Sequence, residues 1–296
     1  MLNYIQPLFR PPSEARSLIL QVTNGCSWNN CTFCEMYTAP QKAFRPKPHD
    51  DIEAELHALA ASGYPFERVF LADGDAMTLS PRRLVAILEA VRRHLPSVRR
   101  VSAYCLPRNV KNKSIADLEQ LVALGLKQIY VGCETGDDQL LDWIDKGETF
   151  QSSLLALTKA KAAGMKTSVM ILNGLGGQHH WEQHALNSAR LMNEGQPNFL
   201  STLVVTFPGG SARFAQAFPS DKGFIEQDLP GLFQEMALMM EKLELEKTIF
   251  RSNHASNYLT LAGVLNKDKP RLLAQVRTAL AAPEQADLRP EWARGL

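Results

Sequence analysis

Three of the five cysteines fall within nine residues, as Cys26-x4-Cys31-x2-Cys34, while Cys105 and Cys133 stand alone. An odd count clustered in this way is no disulfide framework; grouped thiols point to metal or cluster chemistry. A structural zinc takes four ligands, usually as two paired sets. No second Cys-x2-Cys pair follows, the His180-x3-His184 pair reads as surface, and His49, among prolines before a helix start, reads as an exposed loop residue. A [4Fe–4S] cluster on three thiolates leaves one iron open to a substrate or cofactor. Three cysteines that bind no metal are the plain alternative.

The elements around the triplet decide where it can act. Leu18-Ile19-Leu20-Gln21-Val22 predicts a strand that ends at Thr23-Asn24-Gly25, so the cysteines lie at a strand's carboxyl end. In parallel α/β proteins ligands bind there. A helix is expected from Asp50 to about Ser62, capped by Asp50 or Asp51, then a strand at Val69–Ala72 and a helix opened by Ser80-Pro81. Further strands are expected at 101–104, 128–131, 167–172 and 199–205, with helices at 114–124, 139–144, 150–163 and around 184–192. Six short apolar strands separated by helices imply βαβ crossovers and a parallel sheet. After Pro208-Gly209-Gly210 the pattern changes to helices at 229–243 and 269–281. The expected organisation is an N-terminal segment 1–16, a partial (β/α)6 barrel at 17–210, and a helical C-terminal extension at 211–296 that covers the substrate.

Composition excludes several classes. With 296 residues, 45% hydrophobic and 21% charged, the chain can bury a core. The net charge of +1 recruits neither nucleic acid nor membrane, and basic residues are not interleaved with aromatics. No apolar run approaches the ~18 residues of a membrane span. The start has three prolines and no apolar signal core, so a cytoplasmic protein is expected.

The stretch Thr23-Asn24-Gly25-Cys26-Ser27-Trp28-Asn29-Asn30-Cys31-Thr32-Phe33-Cys34 resembles the cluster loop of the radical S-adenosylmethionine (radical SAM) superfamily. Its members carry Cys-x3-Cys-x2-Cys after the first strand of a six-strand partial barrel, often with an aromatic residue where Phe33 stands. The first spacing here is one residue longer. The resemblance covers about Ser17 to Gly210 and is nearest to the branch with oxygen-independent coproporphyrinogen oxidases and Elongator-like enzymes. It implies a [4Fe–4S] cluster on Cys26, Cys31 and Cys34. It also implies reductive cleavage of S-adenosylmethionine and hydrogen abstraction from a small-molecule substrate. The electron would come from a low-potential donor of flavodoxin or ferredoxin type, with oxygen excluded.

The resemblance also locates further contacts. Asp73-Gly74-Asp75-Ala76 stands where the family has a Gly-Gly-Glu-Pro-like turn against the methionine ammonium; the alternative is a plain turn with Asp as helix cap. Glu134, in Val131-Gly132-Cys133-Glu134-Thr135-Gly136, is a candidate for the ribose hydroxyls or else a salt-bridging carboxylate. Asn173-Gly174 after the fifth strand and Pro208 after the sixth would pack near adenine. Ser102 and Tyr104 share a strand face and either line the pocket or fill the barrel.

Two lone cysteines are too few for auxiliary clusters, and with sixteen residues before the first strand no cobalamin domain is expected there. The polar stretch Arg251–Tyr258 offers Arg251, Asn253 and His254 to a substrate, or is a turn in which Ser252 or Asn253 caps a helix. His179, His180 and His184 read as surface histidines, Cys105 and Cys133 as buried and inert, and Met236, Met239 and Met240 as helix core. Three further readings stay open: aminocarboxypropyl transfer, which the longer spacing keeps in play, a porphyrinogen decarboxylase-like activity, and a non-catalytic iron–sulfur or zinc protein.

Overall fold

The structure, a computed structural model, describes residues 2–220 and 223–294. The expected segments 1–16 and 211–296 therefore lie partly outside the described residues. The chain forms two compact units, one of residues 1–29, 34–132 and 158–167, the other of 30–33, 133–157 and 168–296.

The first unit carries β1 (Leu18–Gln21), α1 (His49–Ala61), β2 (Arg68–Ala72), α2 (Pro81–His94), β3 (Arg100–Cys105), α3 (Pro107–Lys111), α4 (Ile115–Ala123) and most of β4 (Leu126–Glu134). The strands pair in parallel in that order, with Leu20 opposite Leu71 and Phe70 opposite Ser102. Val69 to Ala72 are all fully buried, as a parallel strand covered on both faces requires. On α2 the apolar residues Leu84, Ile87, Leu88 and Val91 recur at helical spacing and form the buried stripe. Ser80 caps that helix by accepting from the Arg83 amide at 3.3 Å, and Ser114 caps α4 in a reciprocal box with Asp117. The cap of α1 differs from expectation. Pro48 takes the position, with no side-chain bond, and His49 is the first helical residue rather than part of a loop. Pro48 presets the backbone for helix entry, leaving Asp50 and Asp51 inside the first turn, where negative charge suits the helix dipole.

The second unit carries α5 (Asp138–Trp143), β5 (Lys166–Asn173), α7 (Gly177–Gly195), β6 (Phe199–Val204), α8 (Ala212–Ala215), α9 (Leu229–Lys242), β7 (Thr248–Ser252), β8 (Leu261–Leu265) and α10 (Lys269–Ala281). Helix α6 (Phe150–Ala162) has residues in both units. Strands β5, β6 and β7 run parallel and β8 pairs antiparallel with β7. The strand order is β1 to β8 in sequence order, an α/β architecture of the partial-barrel type. The extension supplies α9 and α10 as expected and two strands besides. Only alternate residues of Thr248–Ser252 are buried, so its apolar content is too low to register as a covered strand. The Met236, Met239 and Met240 stripe of α9 is core, each 5% exposed or less.

Candidate active site

In the first unit the cysteine loop springs from β1 and returns at Lys42. Both ends meet Asp73, which ends β2. The Gly25 amide donates to Asp73 Oδ2 at 3.2 Å, and Lys42 Nζ pairs with the same oxygen. Both Lys42 and Asp73 are wholly buried. Gly25 has φ +67, and a Cβ there would collide with the Lys42 carbonyl, so glycine is required where the loop ends touch. Asn24 Nδ2 donates to the carbonyls of Gln41 and Ala43 at 2.7 and 2.8 Å, closing the base. Inside the loop Asn29 adopts φ +49 and its side chain donates to the Tyr37 carbonyl at 3.0 Å. One left-handed residue takes up the extra length of the x4 spacing, and asparagine is the residue after glycine that tolerates it.

The turn after β2 does not cap a helix. Asp75 precedes a short 3-10 turn (Ala76–Thr78) without a side-chain bond to it. Instead Ser27 donates to Asp75, and Asn109 Nδ2 lies 3.5 Å from the same oxygen. Oδ1 of Asp73 and Oδ1 of Asp75 meet no donor at hydrogen-bond geometry. Burial raises the Asp75 carboxyl to about 6, with Ser27 and Asn109 opposing it. Burial also raises Asp73, against the pull of Lys42. The Tyr37 ring closes over Gly74 so tightly that no Cβ would fit. Burial and the charge of Asp73 push the Tyr37 hydroxyl up, with Cys26 and Cys34 among the weaker contributors. Ser102 is buried with its hydroxyl unmet, and Tyr104 packs edge-on to Phe70 at 5.0 Å.

In the second unit Cys31 is buried, the Thr32 amide bonds to the Ile144 carbonyl at 3.0 Å, and Phe33 packs on an apolar cluster that includes Leu140, Leu141 and Phe218. Lys146 joins two expected residues: its Nζ donates to Glu134 at 2.8 Å and lies 5.8 Å from the Phe33 ring centroid. Glu134 has φ +64, rare for a side-chain-bearing residue and frequent at functional sites. Helix α7 braces the neighbouring residues. His184 Nδ1 accepts from the Thr135 hydroxyl at 2.7 Å and its Nε2 donates to the Leu172 carbonyl at 3.0 Å.

His180 and His184 are thus buried, not surface residues. Helix α7 starts at Gly177, immediately after the glycine turn, and this places their shared face inward. Burial lowers His184 to about 4, so it is neutral and its 3.5 Å approach to Glu235 is no ion pair at neutral pH. The Gly174 amide donates to Glu235 Oε1 at 2.7 Å and Asn173 Nδ2 to the Leu232 carbonyl at 3.2 Å, both on α9. Cys105 and Cys133 are buried as expected, and burial raises Cys133 to about 12.

Pro208 and Asn253, beyond the strand ends, are exposed, and so is Arg251, because strand alternation turns Phe250 and Ser252 inward instead. Ser252 ends β7 and no helix follows, so neither it nor Asn253 is a cap. His254 is half-buried and bonds Ser256, while Asn257 continues the edge of β6 by bonding Val204 and Thr202. Arg289 gathers the carbonyls of His254, Ala255 and Asn257, which accounts for much of this segment's polarity. A small cavity of about 20 Å³, room for little more than a water molecule, lies between the carboxyl ends of β5–β7 and α9, with Asn173, Ser252, Asn257 and Tyr258 as its polar lining.

Lys42, Tyr37, Lys146 and Glu235 were not foreseen. The signal for the first two is their place in the return arm of the cysteine loop. Among the described residues no three His, Cys, Asp or Glu side chains already converge as a metal cage. The donor set nevertheless fits an iron–sulfur cluster, since thiols are its usual protein ligands. The unmet carboxylate oxygens beside Gly74 fit a cationic group such as an ammonium.

The model of the radical SAM superfamily matches residues 20–189, and the chain belongs to that superfamily. The 4'-phospho-dehydrooxetanocin synthase of Priestia megaterium is 22% identical over 169 residues, 52% of this chain and 23% of that protein. The heme chaperone HemW of Bacillus subtilis is 24% identical over 184 residues, 59% of this chain and 47% of that one. The chain spans less than half the length of these curated relatives. Coproporphyrinogen III oxidase (HemN) from Escherichia coli, a radical SAM enzyme, shares the fold with a TM-score of 0.58 at 16% identity, over 76% of this chain and 52% of that one. Among the described residues no helix is long and apolar enough to cross a membrane.

Proposed function

We propose that this protein holds a [4Fe–4S] cluster through Cys26, Cys31 and Cys34 and cleaves S-adenosylmethionine reductively, to start radical chemistry on a small molecule. The observation that supports this best is the Asp73-Gly74-Asp75 turn. Its two buried carboxylates keep an unmet oxygen each, in the unit that holds Cys26 and Cys34. Asp73 is committed to Lys42 and the loop base, so Asp75 is the acceptor for the cofactor's ammonium group. Gly74 lets the backbone approach it, and Tyr37 fixes that backbone. Glu134, held by Lys146, is assigned the ribose hydroxyls, with Asn173, Gly174 and Pro208 toward adenine and Ser102 and Tyr104 as lining. When bound, the cluster supplies the low-potential electron that splits a carbon–sulfur bond, delivered by a donor of flavodoxin or ferredoxin type.

Residues 211–296 cover the substrate in this proposal. Arg251, Asn253 and His254 are the substrate's candidate polar contacts, the first two exposed and His254 half-buried. The shared fold with HemN leaves a porphyrinogen-type substrate as the narrower version. The longer first spacing supports a second reading, transfer of the aminocarboxypropyl group. Anaerobic reconstitution followed by dithionite and S-adenosylmethionine tests both, with Cys34→Ala as control. 5′-Deoxyadenosine that disappears in the control is the expected product. Methylthioadenosine selects the second reading, and a full iron and sulfide complement without cleavage refutes both.

A further inference from the structure

We propose that Lys42 is a positioning residue: its buried ammonium, paired with Asp73, locks the far end of the cysteine loop onto the carboxylate that already holds the near end. This rests on the reading of Cys26, Cys31 and Cys34 as cluster ligands. All three lie between Gly25 and Lys42, and both of those residues reach the same Oδ2 of Asp73. Lys42 Nζ also donates to the Ile5 carbonyl at 2.9 Å and lies 5.7 Å from the Tyr37 ring centroid. The ammonium is therefore held between a carboxylate, a carbonyl and an aromatic face.

A lysine with no solvent contact is a costly way to fill space; an apolar side chain of equal volume would serve stability as well or better. A charge so placed specifies register. A slip of one residue in the return arm would carry the ammonium away from its only carboxylate and leave both charges buried and unpaired. Asn24 clamps Gln41 and Ala43, the two neighbours of Lys42, from the near side. Tyr37, between Cys34 and Lys42, closes on Gly74. The loop's return arm is thus tied to the Asp73–Asp75 turn at two points, and the thiols are set by a closed ring of chain instead of a free loop. Such closure removes loop entropy before any ligand binds.

The experiment compares full-length wild type, Lys42→Met and the double variant Lys42→Met/Asp73→Asn after anaerobic reconstitution. It follows iron and sulfide per chain, the rate of iron loss to a chelator, and the thermal melt. Lys42→Met is expected to melt lower, because Asp73 keeps a buried charge without its partner. The double variant has no unpaired charge and retains an acceptor for Gly25. It is expected to melt like wild type yet lose iron at least tenfold faster, which a purely structural role for Lys42 would not produce. Wild-type iron retention in the folded double variant overturns the proposal. A wild type that takes up no iron or sulfide refutes the ligand reading itself, and this proposal with it.

Discussion

The chain has two glycine turns at strand ends, and they are held in opposite ways. After β2, Asp73-Gly74-Asp75 is fixed by a buried ion pair and by hydroxyl and amide donors, and each carboxylate keeps one oxygen unmet. After β5, the groups of Asn173 and Gly174 are satisfied by α9: the Gly174 amide by Glu235, the Asn173 amide by the Leu232 carbonyl. Gln227 spans the second turn, donating to the Gly177 carbonyl and to Glu235 at 3.1 Å each. The first turn has acceptor capacity left for a ligand. The second offers mainly shape. Buried polar groups without partners are costly, so the two unmet carboxylate oxygens at the first turn, against the single amide oxygen of Gln227 at the second, are the contrast on which the proposed binding locus rests.

The largest effect that could break this contrast is at Asp73. Asp73→Ala strands the Lys42 ammonium in a dry site and is expected to cost roughly 3–5 kcal/mol in denaturant unfolding. A loss below about 1 kcal/mol would mean that the ion pair is not what holds the first turn. Next comes the neutral brace of the second turn. His184→Ala removes two hydrogen bonds and leaves a cavity, with an expected loss of about 2–4 kcal/mol. The stability gap between wild type and variant should widen by roughly 1 kcal/mol from pH 6 to 8, because the folded imidazole is already neutral while the unfolded one, at its ordinary value of 6.5, still loses its proton there. A gap that narrows as pH rises over that range would instead make the brace ionic.

Asp75 sharpens the contrast through pH. Its carboxyl is raised to about 6, so the folded state favours the protonated form. That contribution to stability is complete below about pH 4 and is lost as pH rises through about 6. Affinity for the cofactor's ammonium should rise over the same interval. Asp75→Asn is expected to flatten both trends and weaken S-adenosylmethionine binding about tenfold at pH 7.5, or about 1.4 kcal/mol, in equilibrium dialysis. Unchanged affinity would remove Asp75 from the site. The smallest effect belongs to Arg251, which is exposed and, among the described residues, bonds the neighbouring Phe250 carbonyl. Arg251→Ala should shift stability by less than about 0.5 kcal/mol, and a larger shift would expose a structural role for this side chain.

Much of this arrangement was legible from residue types. The triplet's place after β1, the Ser80 and Ser114 caps and the six parallel strands all follow from local pattern. What escaped is what only chain closure creates. Lysine is so rarely buried that nothing in the sequence around Lys42 distinguishes it from a surface residue. The inward face of His180 and His184 depended on α7 beginning at Gly177, and glycines in a row conceal a helix start. The strands β7 and β8 are short and half-covered, so their alternation was lost among polar neighbours. The polar Arg251–Tyr258 segment looked like ligand-binding chemistry, but its hydrogen bonds largely serve its own turn and the edge of β6.

Asn29 gives the cysteine loop one place where its length is free to change. A chain that gains a residue ahead of the second cysteine needs one side chain that accepts a positive φ; glycine would accept it, while asparagine also donates to the Tyr37 carbonyl. The interval from Cys31 to Cys34 has no such slack, because Phe33 is packed on an apolar cluster and the Thr32 amide is tied to Ile144. A sequence search with the first interval fixed at three residues would pass over this chain, while one that fixes only the second would find it. The elastic and rigid arms of such a loop can therefore be told apart by which one tolerates an insertion.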